Sequence, residues 1–153
     1  MKGLAAEGAA LRKELIDSIQ KDMQSFTAYM NALGMPKNTD VEKAARKEAM
    51  QNGLKEAAEV PLAVAETALK IFHVAGAVVE RGNANAVTDG LVASMMARTA
   101  VLSALLNVKI NLGSIKDEEF VARMAAKVAE LEKAAMDGEK AVMELSALTR
   151  DLV

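Results

Sequence analysis

The sequence contains no cysteine and no tryptophan, a single histidine, a single tyrosine and only two prolines. Without cysteine there is no disulfide, no thiolate zinc site and no thiol nucleophile. One histidine, His73, cannot build a histidine-based metal centre, and no serine stands out as its partner in a catalytic triad; no metal is expected. Aromatic residues make up 3% of the chain and the formal charge is −2. There is thus no basic stripe interleaved with aromatics, and nucleic acid is not an expected partner. Strand patterns, internal repeats and low-complexity linkers are also missing. Met1-Lys2 is followed by Gly, Ala and Glu rather than the apolar core of a signal peptide, so the expected compartment is the cytoplasm.

What remains is helical. The chain is 52% hydrophobic with ten methionines among its 153 residues, a length that suits one domain, 1–153, with its own core. The stretch from Gly82 to Leu112 organises the rest. From Leu91 onward nearly every residue is apolar or small, which predicts a central helix covered by protein on nearly all sides. Arg98 near its middle, with Ser94, Thr99, Ser103, Asn107 and Lys109, argues against a membrane span. At about 100° per residue, Asp89, Ala93, Met96, Ala100, Ser103 and Asn107 share one side with Asn111 close by, forming a small polar seam. Arg98 projects from the opposite side.

Around it the periodicity predicts further helices. From Leu4 to Leu33 the residues Leu11, Leu15, Ile19, Met23, Phe26, Met30 and Leu33 form an apolar stripe expected to face the core. Ser18, Asp22, Ser25 and Tyr29 form a polar seam beside it. Gly34-Met35-Pro36-Lys37-Asn38 reads as a turn in which glycine can take a positive φ and proline bars the preceding residue from continuing the helix, and Thr39-x-x-Glu42 as a capping box opening the next helix. Pro61 is expected either to kink this helix or, in preference, to start another as its first-turn residue, closed by Arg81-Gly82. Asn83 and Asn85 then offer caps to the central helix. The last helix carries Val121, Met124, Val128, Leu131, Ala135, Gly138, Val142, Leu145 and Thr149 in a heptad stripe, which calls for a partner helix.

Several of these residues, taken in order, carry a resemblance. Asp22-Met23-Gln24-Ser25-Phe26-Thr27-Ala28-Tyr29-Met30, Met35-Pro36-Lys37-Asn38-Thr39 with Glu42-Lys43, and Val60-Pro61-Leu62 are followed by Gly82-Asn83 with Asp89. Asn107-Val108, Ile110-Asn111-Leu112 and Asp117-Glu118-Glu119-Phe120 complete the series. Together they resemble the cyclodeaminase domain of formimidoyltransferase-cyclodeaminase, which also occurs alone as formimidoyl-tetrahydrofolate cyclodeaminase or methenyltetrahydrofolate cyclohydrolase. The resemblance runs from about Leu15 to the end. It implies an all-α, up-and-down helical bundle around the central helix, homodimeric, and an enzyme of folate one-carbon metabolism that works without a metal.

In that family the aspartate at the position of Asp22 is assigned to cyclodeaminase activity. One carboxyl moving a proton from N10 of 5-formimidoyl-tetrahydrofolate to the departing nitrogen would close the methenyl bridge and release ammonia. Tyr29, Asn83, Asp89, Asn107 and Asn111 are the expected pocket or pocket-supporting residues, and Lys37 or Arg46 would receive the carboxylates of a glutamyl tail. Partners implied are a reduced folate, polyglutamylated or not, a second copy, and a formimidoyltransferase, tethered or in trans. Cyclohydrolase activity is the alternative reaction, and a non-catalytic helical dimer or scaffold the alternative class. In that second class Asp22 is a solvated residue and the asparagines are caps or inter-helix hydrogen bonds. The family's Pro-Gly-Gly-Gly-Ser turn has no counterpart in Met1 to Ala10, so the chain is expected to be short at its N-terminus.

Overall fold

The computed structural model describes residues 2–152. Five helices follow one another: α1 (Lys2–Leu33), α2 (Asp40–Leu69), α3 (Ile71–Arg81), α4 (Val87–Leu112) and α5 (Glu118–Glu144). Single 3₁₀ turns precede α4 (Ala84–Ala86) and close the chain (Arg150–Leu152), and no strand occurs among the described residues. Local chemistry fixes several ends. Thr39 Oγ1 accepts from the Glu42 amide at 3.2 Å and Glu42 Oε2 accepts from the Thr39 amide at 3.0 Å, a complete capping box. Asp117 accepts from the Phe120 amide at 3.0 Å at the start of α5. α1 ends where the Gly34 amide folds back on the carbonyls of Met30 and Asn31. No described glycine has a positive φ, so this turn is made without a left-handed residue.

α4 is the hub. It packs on α2, α3 and α5, while α1 lies against α2 and does not touch α4. Val101, Leu105 and Val108 of α4 are fully buried among Leu54, Ala58 and Ala65 of α2, Phe72 and Ala75 of α3, and Met124, Val128 and Leu131 of α5. The heptad stripe of α5 finds its partner helix in α4, although the helix ends at Glu144 and leaves Leu145 exposed. Arg98, which had no explanation within its own helix, meets Glu139 of α5 with Nε 2.7 Å from Oε2. The N–H is out of line for a hydrogen bond, so the contact is chiefly Coulombic.

Three expectations need correction. Pro61 does not start a helix; α2 runs through it without interruption and the chain breaks only at Lys70. A proline is tolerated in a helix when another group takes over the carbonyl it leaves without a donor, and one does. Second, α4 is buried on one side only: Val92, Met96, Leu106 and Ile110 are exposed. Third, α1 is rotated from the expected register. Ser25 of its polar seam is buried and Tyr29 half-buried against α2, and of the apolar stripe only Leu11 is buried, with Leu15 and Leu33 half-buried, whereas Ile19, Met23, Phe26 and Met30 are exposed. Small side chains let backbones approach: a Cβ on Gly53 would sit 3.0 Å from the Tyr29 Cα. Close packing of backbones outweighed placing the larger apolar stripe inward.

These exposures leave an unusual surface. The molecule presents 9384 Å², whereas a monomer of 16.2 kDa is expected to present about 7,500 Å².

Candidate active site

α1 and α2 form an antiparallel hairpin, with Tyr29 against Gly53 near one end and Thr67 donating to Glu14 at 2.7 Å near the other. α2 and α4 are antiparallel too, with Asn111 bonded to the carbonyl of Ala57. α1 and α4 therefore run parallel on either side of α2 without meeting, and the gap between them is a groove. Leu15, Ser18, Ile19, Asp22 and Met23 of α1 form one wall, Ala100, Ser103, Ala104 and Asn107 of α4 the other, and Pro61 and Val64 of α2 the floor. Its volume is about 360 Å³, at the lower end of the range that holds small organic ligands.

The groove brings together the middles of the two polar seams. Asp22 is exposed to it, and only its backbone carbonyl is engaged, by the buried Ser25 hydroxyl at 2.8 Å. No described cation lies within ion-pair distance of its carboxylate, which is left to meet a ligand. Asn107 sits across from it with one long bond, Nδ2 to the Ser103 carbonyl at 3.4 Å, so its amide is also available. Ser18 is occupied with the Glu14 carbonyl. An acid–base group on one wall, an amide on the other and an apolar floor can orient a flat, hydrogen-bonding ligand and move a proton on it. No group of three or more metal-binding carboxylates or histidines gathers among the described residues.

The sequence matches a known family over residues 1–130, that of formiminotransferase-cyclodeaminase. The chain belongs to this family. Among relatives, a methenyltetrahydrofolate cyclohydrolase from Methylorubrum extorquens is 39% identical over 78% of this chain and 58% of its own length. A formimidoyltransferase-cyclodeaminase from Gallus gallus is 35% identical over 86% of this chain and 24% of its own. Among solved structures, formiminotetrahydrofolate cyclodeaminase from Thermotoga maritima superposes with a TM-score of 0.78 at 28% identity, covering 94% of this chain and 66% of that one. The chain spans a little over half the length of the cyclohydrolase relative and about a quarter of the bifunctional one.

Within the chain the other expected site residues are scattered. Tyr29 is half-buried against α2 rather than in the groove. Asn83 caps the 3₁₀ turn, accepting from the Asn85 amide at 3.0 Å. Asp89 is exposed in the first turn of α4, eighteen residues and so about 27 Å from Asn107. Arg46 caps the end of α1, with both Nε and Nη2 donating to the Leu33 carbonyl at 3.2 Å. Lys37 is exposed in the turn beyond α1, whose end at Leu33 lies about 17 Å along that helix from Asp22. Asn111 is half-buried and turned to α2. The groove also includes Pro61, Val64 and Ser103, which were not singled out as site residues. Ser103 belonged to the seam read from the sequence, but a floor made by α2 depends on which helix lies between which and has no local signature.

Proposed function

We propose that this chain acts on a reduced folate, closing the bridge of 5-formimidoyl-tetrahydrofolate to give 5,10-methenyl-tetrahydrofolate and ammonia, as in histidine degradation. The observation that carries the reading is Asp22: an unpaired carboxylate facing Asn107 across an apolar floor, in a chain of this family. N10 attacks the formimidoyl carbon, forming the N10–C bond and a tetrahedral centre. Asp22 takes the N10 proton and delivers it to the exocyclic nitrogen. With the formimidoyl group protonated at the outset, the exocyclic nitrogen now carries three hydrogens; its C–N bond breaks, the bonding pair leaves with ammonia, and the lone pair of N5 completes the cationic methenyl bridge. Asn107 would hold an edge of the folate, and of the two cations expected at a glutamyl tail Lys37 makes no ion pair among the described residues, whereas Arg46 is bonded to the Leu33 carbonyl.

A second reading has its own support in the 39% identity to a methenyltetrahydrofolate cyclohydrolase. There water adds to the bridge carbon while Asp22 accepts one of its protons and returns it to N5; as the N5–C bond breaks the other is lost to solvent and the carbon stays on N10 as a formyl group. The same carboxyl serves both, so the two reactions are separated by substrate. The experiment is to follow methenyl-tetrahydrofolate absorbance, rising from 5-formimidoyl-tetrahydrofolate or falling on hydrolysis, with Asp22→Ala as control. A rise abolished by the control supports cyclodeamination, a fall alone supports the hydrolase, and no change with either substrate leaves the scaffold reading.

The working form we propose is a cytoplasmic homodimer, supported by the apolar face of Ile16, Ile19, Phe26, Met30, Leu106 and Ile110. Large apolar side chains exposed together on two neighbouring helices are what an interaction site presents. A formimidoyltransferase supplying the substrate belongs to the same reading.

A further inference from the structure

The Pro61 nitrogen carries no hydrogen, so the carbonyl of Ala57, one turn earlier in α2, has no donor from its own helix. Asn111 Nδ2 of α4 supplies one at 2.8 Å and donates also to the Asn107 carbonyl at 3.0 Å. Both partners are carbonyl oxygens, so only the amide nitrogen can face them and the orientation of the side chain is set. Both N–H groups of Asn111 are used in this way. Pro61 is buried in the groove floor, and Asn107, one turn before Asn111, stands in the groove wall.

We propose that Pro61 and Asn111 are a matched pair that sets the separation of α2 and α4 at the groove, which makes Asn111 a positioning residue for Asp22 chemistry rather than a contact to substrate. The catalytic half of this inference rests on the folate reading above; the pairing itself does not. Pro61 removes a donor and pushes its ring toward the groove, and the amide of α4 reaches across to the carbonyl thus released. The same amide tethers the Asn107 turn. The floor beneath Asp22 and the wall opposite it are held by one side chain.

The experiment compares the unmodified chain, Asn111→Ala, Pro61→Ala and the double variant, by thermal midpoint and by steady-state kinetics on 5-formimidoyl-tetrahydrofolate and methenyl-tetrahydrofolate. In Pro61→Ala the residue 61 amide restores the helical bond to Ala57 and makes the Asn111 contact redundant. Asn111→Ala is expected to lower the midpoint by several degrees alone and by less than half as much in the Pro61→Ala background. The single variant is also expected to lose about 10- to 100-fold in kcat, the scale of a misplaced reacting group. The double variant should recover the midpoint but not kcat, because the floor has lost its proline. An equal midpoint loss in both backgrounds overturns the pairing. Recovery of kcat together with the midpoint overturns the positioning role. Absence of turnover by the unmodified chain overturns the folate reading and the positioning role with it, while the midpoint cycle still decides the pairing.

Discussion

The Cα of Tyr29 lies where a side chain on Gly53 would have to go: a Cβ there would be 3.0 Å from that Cα and 3.3 Å from the Tyr29 Cβ and nitrogen. This contact lets α1 lie along α2 closely enough for the two to form the floor and one wall of the Asp22 groove.

Replacing Gly53 by alanine should therefore destabilise the protein, even though alanine is the better helix former by about 1 kcal/mol. The neighbour is backbone and cannot rotate away, so the expected net loss is about 1 kcal/mol or more. Gly8 of α1 is the contrasting case, since a Cβ there would meet only a Val74 methyl at 3.8 Å; Gly8→Ala should gain about 0.5–1 kcal/mol. Urea unfolding of the two variants checks both signs.

Asp22 is exposed and carries no ion pair among the described residues, so Asp22→Asn should change unfolding free energy by less than about 0.5 kcal/mol. On the proposed mechanism kcat should fall by about 10²- to 10⁴-fold, the usual contribution of a placed acid–base group. Full turnover with normal folate binding would remove Asp22 from the mechanism.

The apolar face predicts self-association. Phe26→Glu on α1 or Ile110→Glu on α4, both at exposed positions, should shift sedimentation from dimer toward monomer and weaken association at least about tenfold, or 1.4 kcal/mol. The helical signal should persist, because neither side chain is part of the core. A monomer in the unmodified protein would count against the dimer.

Asp117 joins three elements: it caps α5 and meets Lys55 of α2 at 2.6 Å in the loop after α4. The Lys55 ammonium first, and the Phe120 amide second, hold its carboxyl below the usual value. A depressed carboxyl stabilises the fold at pH values above its unfolded pKa, about 3.9, and that contribution is lost as pH falls through the folded value. Asp117→Asn keeps a capping oxygen but loses the charge. Its midpoint should lie below that of the unmodified chain at pH 7, and the gap should close as the pH is brought below about 4.

Much was decided by the sequence alone. A chain without cysteine, poor in aromatics and rich in alanine and methionine, with apolar residues three and four apart, had to form helices, and Thr39, Glu42 and Asp117 mark their starts because capping is local chemistry. The central helix and the seam of Ala100, Ser103 and Asn107 were legible from an angle of rotation per residue. So was the alignment of Ser18 with Asp22. The tertiary structure decided the rest. Periodicity identifies a stripe but not which of two adjacent stripes turns inward. In α1 the small seam won around Tyr29 because Gly53 admits its backbone, and Ile19, Met23, Phe26 and Met30 of the apolar stripe were left outside while Leu11 stayed in. An apolar helix reads as buried whether its own chain or another surface covers it, so the exposed side of α4 was invisible. Pro61 looked like a boundary because its compensation, the Asn111 amide, comes from another helix fifty residues away. A groove is a relation among three helices, and only their packing could place Asp22 opposite Asn107 and leave Asn83 and Asp89 at the far end.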